Sequence, residues 1–108
     1  MAVTIITDPN DQGLAPHCIT KPVAPENGTD FTFAEIKELL GYDQGIYLEI
    51  VRFALDWGQG ETIALLVCDE EGRLKDLQVN GLATALTSGK VNGHIVGNVL
   101  LCSEDQIR

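Results

Sequence analysis

Three apolar runs of strand length dominate the second half of the chain. They read G-I-Y-L-E-I-V-R-F from Gly45, E-T-I-A-L-L-V-C from Glu61 and H-I-V-G-N-V-L-L from His94. An acidic turn and a short helical pattern lie between the second and the third. Runs of this length need partners on both sides to satisfy their backbone groups, so they must assemble into a sheet. Each is also far shorter than the ~20 apolar residues of a membrane-spanning helix. The expected fold class is therefore α+β, with a small antiparallel sheet of three to four strands and two helices.

Hydrophobic periodicity places the elements. Thr32 and Glu35 have the spacing of a capping box, and Gly41 follows the last apolar residue. Phe33, Ile36, Leu39 and Leu40 form one stripe at helical period. Residues 46–55 read as a strand with Ile46, Leu48 and Ile50 on one face and Tyr47, Glu49, Val51 and Phe53 on the other. Both faces are largely apolar, which predicts a central strand covered on both sides. Trp57-Gly58-Gln59-Gly60 is a turn that leads into a strand, not a phosphate loop leading into a helix. Residues 61–68 complete a hairpin. Val79, Leu82, Ala83 and Leu86 predict a second helix with Asn80 near its N-cap. Asn92-Gly93 predicts a tight turn, and Gly97 an interruption of the last strand.

The first 30 residues differ from the rest. All four prolines, Pro9, Pro16, Pro22 and Pro25, fall there. Residues 3–7 suit one short strand. Residues 8–30 are polar and aperiodic and predict an extended arm. The expected organisation is an N-terminal strand and proline-rich arm over residues 1–30 and an α+β core domain over 31–108.

Charge narrows the partners. Sixteen acidic residues against seven basic ones give a net charge of -9. Such a surface repels nucleic acid and anionic membranes, so direct binding to either is not expected. It suits a basic protein partner, such as the nucleic-acid channel of another protein; acidity kept for solubility alone gives the same composition. Self-association is left open. The start, M-A-V-T-I-I-T-D-P, lacks the basic flank and apolar length of a secretion signal, and a cytoplasmic location is expected. The three cysteines, Cys18, Cys68 and Cys102, have no paired spacing, so neither a disulfide framework nor a metal site is expected. No cofactor motif is present.

Six residues stand out as binding candidates. Glu49 is a carboxylate in an apolar strand, where burial demands a partner and an edge position would give it water. Asn80 and Thr84 lie one helical turn apart. Together with Glu49 they would shape a pocket for a nucleotide-like ligand, although capping alone explains Asn80. Asp69, Glu70 and Glu71 form the acidic turn, as a docking surface or as a solvated loop. Catalysis needs a nucleophile and a base held together. His17, beside Cys18 in the arm, and the lone His94 make no readable pair, so no catalytic residue is assigned.

Four short patterns recur in a fixed order: Glu49-Ile50-Val51, then Asp69-Glu70-Glu71-Gly72-Arg73-Leu74-Lys75, then Asn80-Gly81-Leu82-Ala83-Thr84, then Ile95-Val96-Gly97-Asn98-Val99. With the preceding helix they make residues 32–101 resemble a family of small phage and bacterial proteins of unknown function. Val79 stands where that family often has proline. The resemblance implies a phage or mobile-element setting, or a bacterial host descendant. It brings no activity and no catalytic residue. The expected function is that of a non-catalytic accessory protein that binds another protein through its acidic surface. The alternative is a small-ligand binding domain around Glu49 and Asn80.

Overall fold

The computed structural model describes residues 2–7, 18–41, 48–56, 60–69, 79–87 and 95–107. Their order is β1 (Ala2–Thr7), β2 (Cys18–Pro22), α1 (Phe33–Leu40), β3 (Leu48–Asp56), β4 (Glu61–Asp69), α2 (Gly81–Leu86) and β5 (Val99–Ser103), followed by a 3-10 turn at Glu104–Gln106. The strands form one five-stranded sheet in the order β2-β1-β5-β4-β3. Every neighbouring pair is antiparallel. The α+β class holds, with five strands instead of three to four.

The added strand is β2, which lies inside the expected arm. It pairs with β1 from Val3↔Pro22 to Thr7↔Cys18. Pro22 ends a strand at the edge of the sheet, where a missing N–H breaks no ladder. β1 itself is internal. Its other side pairs with β5, from Ala2↔Cys102 to Ile5↔Val99. Residues 1–30 thus supply two strands of the same sheet.

Each face of the sheet carries a core of its own, and this explains the unbroken apolar runs in β4 and β5. Successive side chains point to opposite faces. On one face Ile5, Val51, Phe53, Leu66, Val99 and Leu101 pack beneath α2 with Ala83 and Ile95, and Leu86 lies half-buried against them. On the other face Leu65, Val67, Leu100 and Cys102 pack with Phe31, Ile36 and Leu40. A single-faced sheet would have alternated apolar with polar; these strands do not because each face has its own core.

Helix α1 forms as its caps predict. The Thr32 hydroxyl accepts from the Glu35 N–H while the Glu35 carboxylate accepts from the Thr32 N–H at 3.1 Å. The same carboxylate accepts from the Glu26 N–H at 2.9 Å, and these backbone bonds hold its pKa below the ordinary value. Gly41 closes the helix at φ +79°, a conformation that β-carbons disfavour. Ile36 and Leu40 are buried, but Phe33 leaves the expected stripe and is 56% exposed.

Strand β3 corrects a second expectation. Among the described strands it stands at the edge of the sheet, not at its centre. Its apolar letters on the α2 face are buried at Val51 and Phe53, yet Ile50 on the opposite face stays exposed. The residues after β5 are also tied to the fold. Phe31 and Ile107 form a parallel bridge, and the Phe31 N–H donates to the Gln106 carbonyl at 2.7 Å.

Candidate functional site

Among the described binding candidates, Asn80 and Thr84 lie together, and Glu49 and Asp69 lie apart from them on the β3–β4 pair. Asn80 is fully buried beneath α2. Its Oδ1 accepts from the Ala83 N–H at 3.0 Å, and its Nδ2 donates to the carbonyls of Gly97 at 2.9 Å and Ile5 at 3.2 Å. One side chain thus caps α2, holds the bend at Gly97 and ties both to β1. Thr84 works in the same joint. Its hydroxyl accepts from the Ile95 N–H at 3.0 Å and donates to the Ile95 carbonyl at 3.3 Å, imitating a strand neighbour. Both residues are engaged in holding α2 to the 95–97 segment.

Glu49 lies on the far edge. It faces the α2 side opposite Cys68 and is exposed, so water solvates its carboxylate. The Asn80 side chain reaches β1, three strands away, which is roughly 14 Å at the usual inter-strand spacing. Asp69 corrects the picture of a solvated acidic turn: it is the last residue of β4, opposite Leu48, and only 4% exposed. Glu70 and Glu71 lie outside the described residues, as do Arg73 and Lys75.

Asn98, which the sequence reading passed over, is a second internal joint. Its Oδ1 accepts from the Thr7 N–H at 2.9 Å and its Nδ2 donates to the Leu40 carbonyl at 3.0 Å. It fastens the end of β1 to the end of α1. Its one sequence signal is its place after Gly97, where φ is +77° and the strand is interrupted.

The buried cysteines are inert. Burial pushes the Cys68 thiol up to about 12, helped by the Glu49 and Asp69 carboxylates. Burial likewise pushes Cys102 up to about 11. Thiolate is the reactive form, so neither is a nucleophile near neutral pH. In a Cys18→Ser variant at pH ~8, a thiol reagent should leave both unlabelled until denaturant is added. Rapid stoichiometric labelling of the native variant would contradict their burial. No cluster of metal-ligating side chains occurs among the described residues. No described helix is long and apolar enough to cross a membrane.

Two concavities lie among the described residues. A groove of about 520 Å³ runs between α1 and the β1–β2 edge. Leu39, Val23 and Ile6 line its apolar part, and Lys21, Glu26, Glu35 and Glu38 its polar part. It contains neither Glu49 nor Asn80. The second is an open depression of about 380 Å³ between Thr62, Ile63, Ser103, Glu104 and Asp105.

That depression belongs to a larger exposed strip. Helix α1 packs over β1 and β5. On the same face of the sheet, β3 and β4 present Ile50, Arg52, Ala54 and Asp56 opposite Val67, Leu65, Ile63 and Glu61. Leu65 and Val67 are buried, but Ile50 is 47% and Ile63 is 42% exposed. Acids border these apolar side chains. Asp56 and Glu61 are exposed at the hairpin end, and Glu104 and Asp105 along the β5 side. Arg52 crosses β4 to form an exposed ion pair with Glu104. The strip thus carries two exposed isoleucines, the Arg52–Glu104 ion pair and an acidic border. Comparison with protein-family models, curated proteins and solved structures found no match to this chain.

Proposed function

We propose that this protein is a non-catalytic accessory protein that binds a basic protein partner through the acidic face of its β3–β4 hairpin. The exposure of Ile50 and Ile63 on an ordered sheet face, among Asp56, Glu61, Glu104 and Asp105, carries the reading. Two strands of nine residues span about 10 by 30 Å, or roughly 300 Å². Within that footprint Ile50 and Ile63 are the exposed large apolar side chains, and apolar side chains rimmed by charge mark a contact surface. It suits a transient contact more than an obligate one. The charge of -9 selects a cationic partner and repels nucleic acid. A phage or mobile-element setting, where many proteins handle nucleic acid with basic channels, fits such a partner. The ligand-pocket reading is weaker, because Asn80 is committed to internal bonds and Glu49 lies on the opposite edge.

Electrostatic steering acts on association, and apolar contact on dissociation. Charges more than ~8 Å apart are largely screened at physiological ionic strength. Raising salt, or combining Glu61→Gln with Asp105→Asn, should therefore slow association without unfolding the domain. Ile63→Asp should instead speed dissociation. The check is quantitative pull-down from host lysate with wild-type and variant chains, followed by rate measurements on the captured partner. A partner retained equally by Ile63→Asp, or held regardless of salt, would remove the acidic face from the mechanism.

A further inference from the structure

We infer that the groove between α1 and the β1–β2 edge is a site for a small aliphatic amine, with its hydrocarbon chain on Ile6, Val23 and Leu39 and its ammonium against Glu26, Glu35 and Glu38. The groove lies at the other end of the sheet from the β3–β4 face and shares no residue with it. Its volume of about 520 Å³ falls within the ~300–1,000 Å³ of small-molecule sites. Ile6, Val23 and Leu39 are each only half-buried, so a hydrocarbon chain still has apolar surface to cover there. Thr4 makes no demand on a ligand, because its buried hydroxyl donates to the Lys21 carbonyl at 3.4 Å.

The walls are already held in place. The β1–β2 ladder and the bond from the Val23 N–H to the Ala2 carbonyl, at 3.0 Å, fix one side. The Glu35 carboxylate ties the chain at Glu26 to the start of α1 and fixes the other. A site built in advance spends little on ordering when it binds. The lining carries three carboxylates and one ammonium, that of Lys21. Among the described residues no ion pair engages any of these four. The backbone bonds that lower the Glu35 pKa keep it ionised. Glu35 and Glu38 are three apart on α1, where like charges repel. Glu38 also lies in the last turn, the end of a helix that favours cations. An ammonium between the glutamates relieves their repulsion, whereas an anion adds to it. Lys21, on the β2 wall, disfavours a second ammonium, so a monoamine is preferred to a diamine of the same length.

The test titrates the full chain with hexylamine, its neutral analogue hexanol, its anionic analogue hexanoate and the corresponding diamine, and follows methyl resonances. Hexylamine is expected to saturate at about millimolar concentration and to shift Ile6, Val23 and Leu39. It should bind about tenfold tighter than hexanol, and hexanoate should not bind. Combining Glu26→Gln with Glu38→Gln, both exposed, should weaken hexylamine by about tenfold. Lys21→Gln should bring the diamine level with hexylamine. No saturable shift from hexylamine, or binding indifferent to the double variant, would overturn the site. Hexanoate binding lost in Lys21→Gln would make the ligand an anion and overturn the amine. Shifts confined to Ile50 and Ile63 would place the amine on the β3–β4 face and overturn the groove. A capped lysine that binds more tightly than hexylamine would give the groove to a protein side chain and overturn the small-molecule occupant.

Discussion

Deleting residues 1–30 should abolish cooperative folding. β1 is the second strand of the sheet and lies between β2 and β5. Ile5 fills the core beneath α2, and Ala2 the core beneath α1. Removing the segment opens both cores at once. It also strands partners elsewhere: Asn80 Nδ2 loses the Ile5 carbonyl, and Asn98 Oδ1 loses the Thr7 N–H. Ile5→Ala alone should cost about 2–5 kcal/mol. A typical domain has only about 5–15 kcal/mol in total. The truncated chain should show no sharp thermal transition, and its amide resonances should lose dispersion. Adding residues 1–30 as a separate peptide should restore part of the native spectrum. A truncated chain that still melts within a few degrees of the full one would mean β1 is peripheral, as the composition of residues 1–30 had suggested.

That outcome bears on what the sequence makes visible. Local signals were legible wherever the element is stabilised locally. Thr32, Glu35 and Gly41 mark the ends of α1 because capping is chemistry within one turn. Asn80 marks the start of α2 for the same reason. The β3–β4 hairpin follows from two apolar runs around a glycine turn. Strand β2 was hidden because C-I-T-K-P borrows its order from β1, and its proline reads as a breaker until it is placed on an edge. β3 looked central because alternation cannot distinguish an apolar face that is covered from one that is open. Ile50 belongs to the open half, and only the strand order and the placement of α1 reveal that.

The candidate site was less legible than the fold. Net charge pointed to an acidic surface, but not to its location. Asp69 looked like a turn residue because it begins the run Asp69-Glu70-Glu71-Gly72, yet it ends β4 in a buried position. Glu104 and Asp105 carry no local signal of a site, and they border the exposed strip only because β5 brings them beside β4. Arg52 shows the same limit. Its ion pair with Glu104 joins residues far apart in sequence, and no local pattern announces it.

Asn80→Ala is expected to be among the most damaging single substitutions. The side chain is fully buried and makes the three bonds described above, to Ala83, Gly97 and Ile5. Losing an N-cap costs about 0.5–2 kcal/mol. Each buried carbonyl left without a donor costs about 1–3 kcal/mol. With two such carbonyls the sum is roughly 2.5–8 kcal/mol, a large part of what a domain of this size has. Asn80→Asp separates the two roles. The aspartate keeps an acceptor for the Ala83 N–H, but when ionised it has no proton for Ile5 or Gly97 and buries a charge. Desolvation and the two facing carbonyls should raise its folded pKa above the unfolded value. The variant's deficit should therefore be smallest below the unfolded pKa and should grow as pH rises through the folded one. Denaturant titrations of wild type, Asn80→Ala and Asn80→Asp across that range provide the check. An Asn80→Ala cost under ~1 kcal/mol would show that Asn80 does not hold α2, Gly97 and β1 together, and would reopen it as a ligand-binding residue.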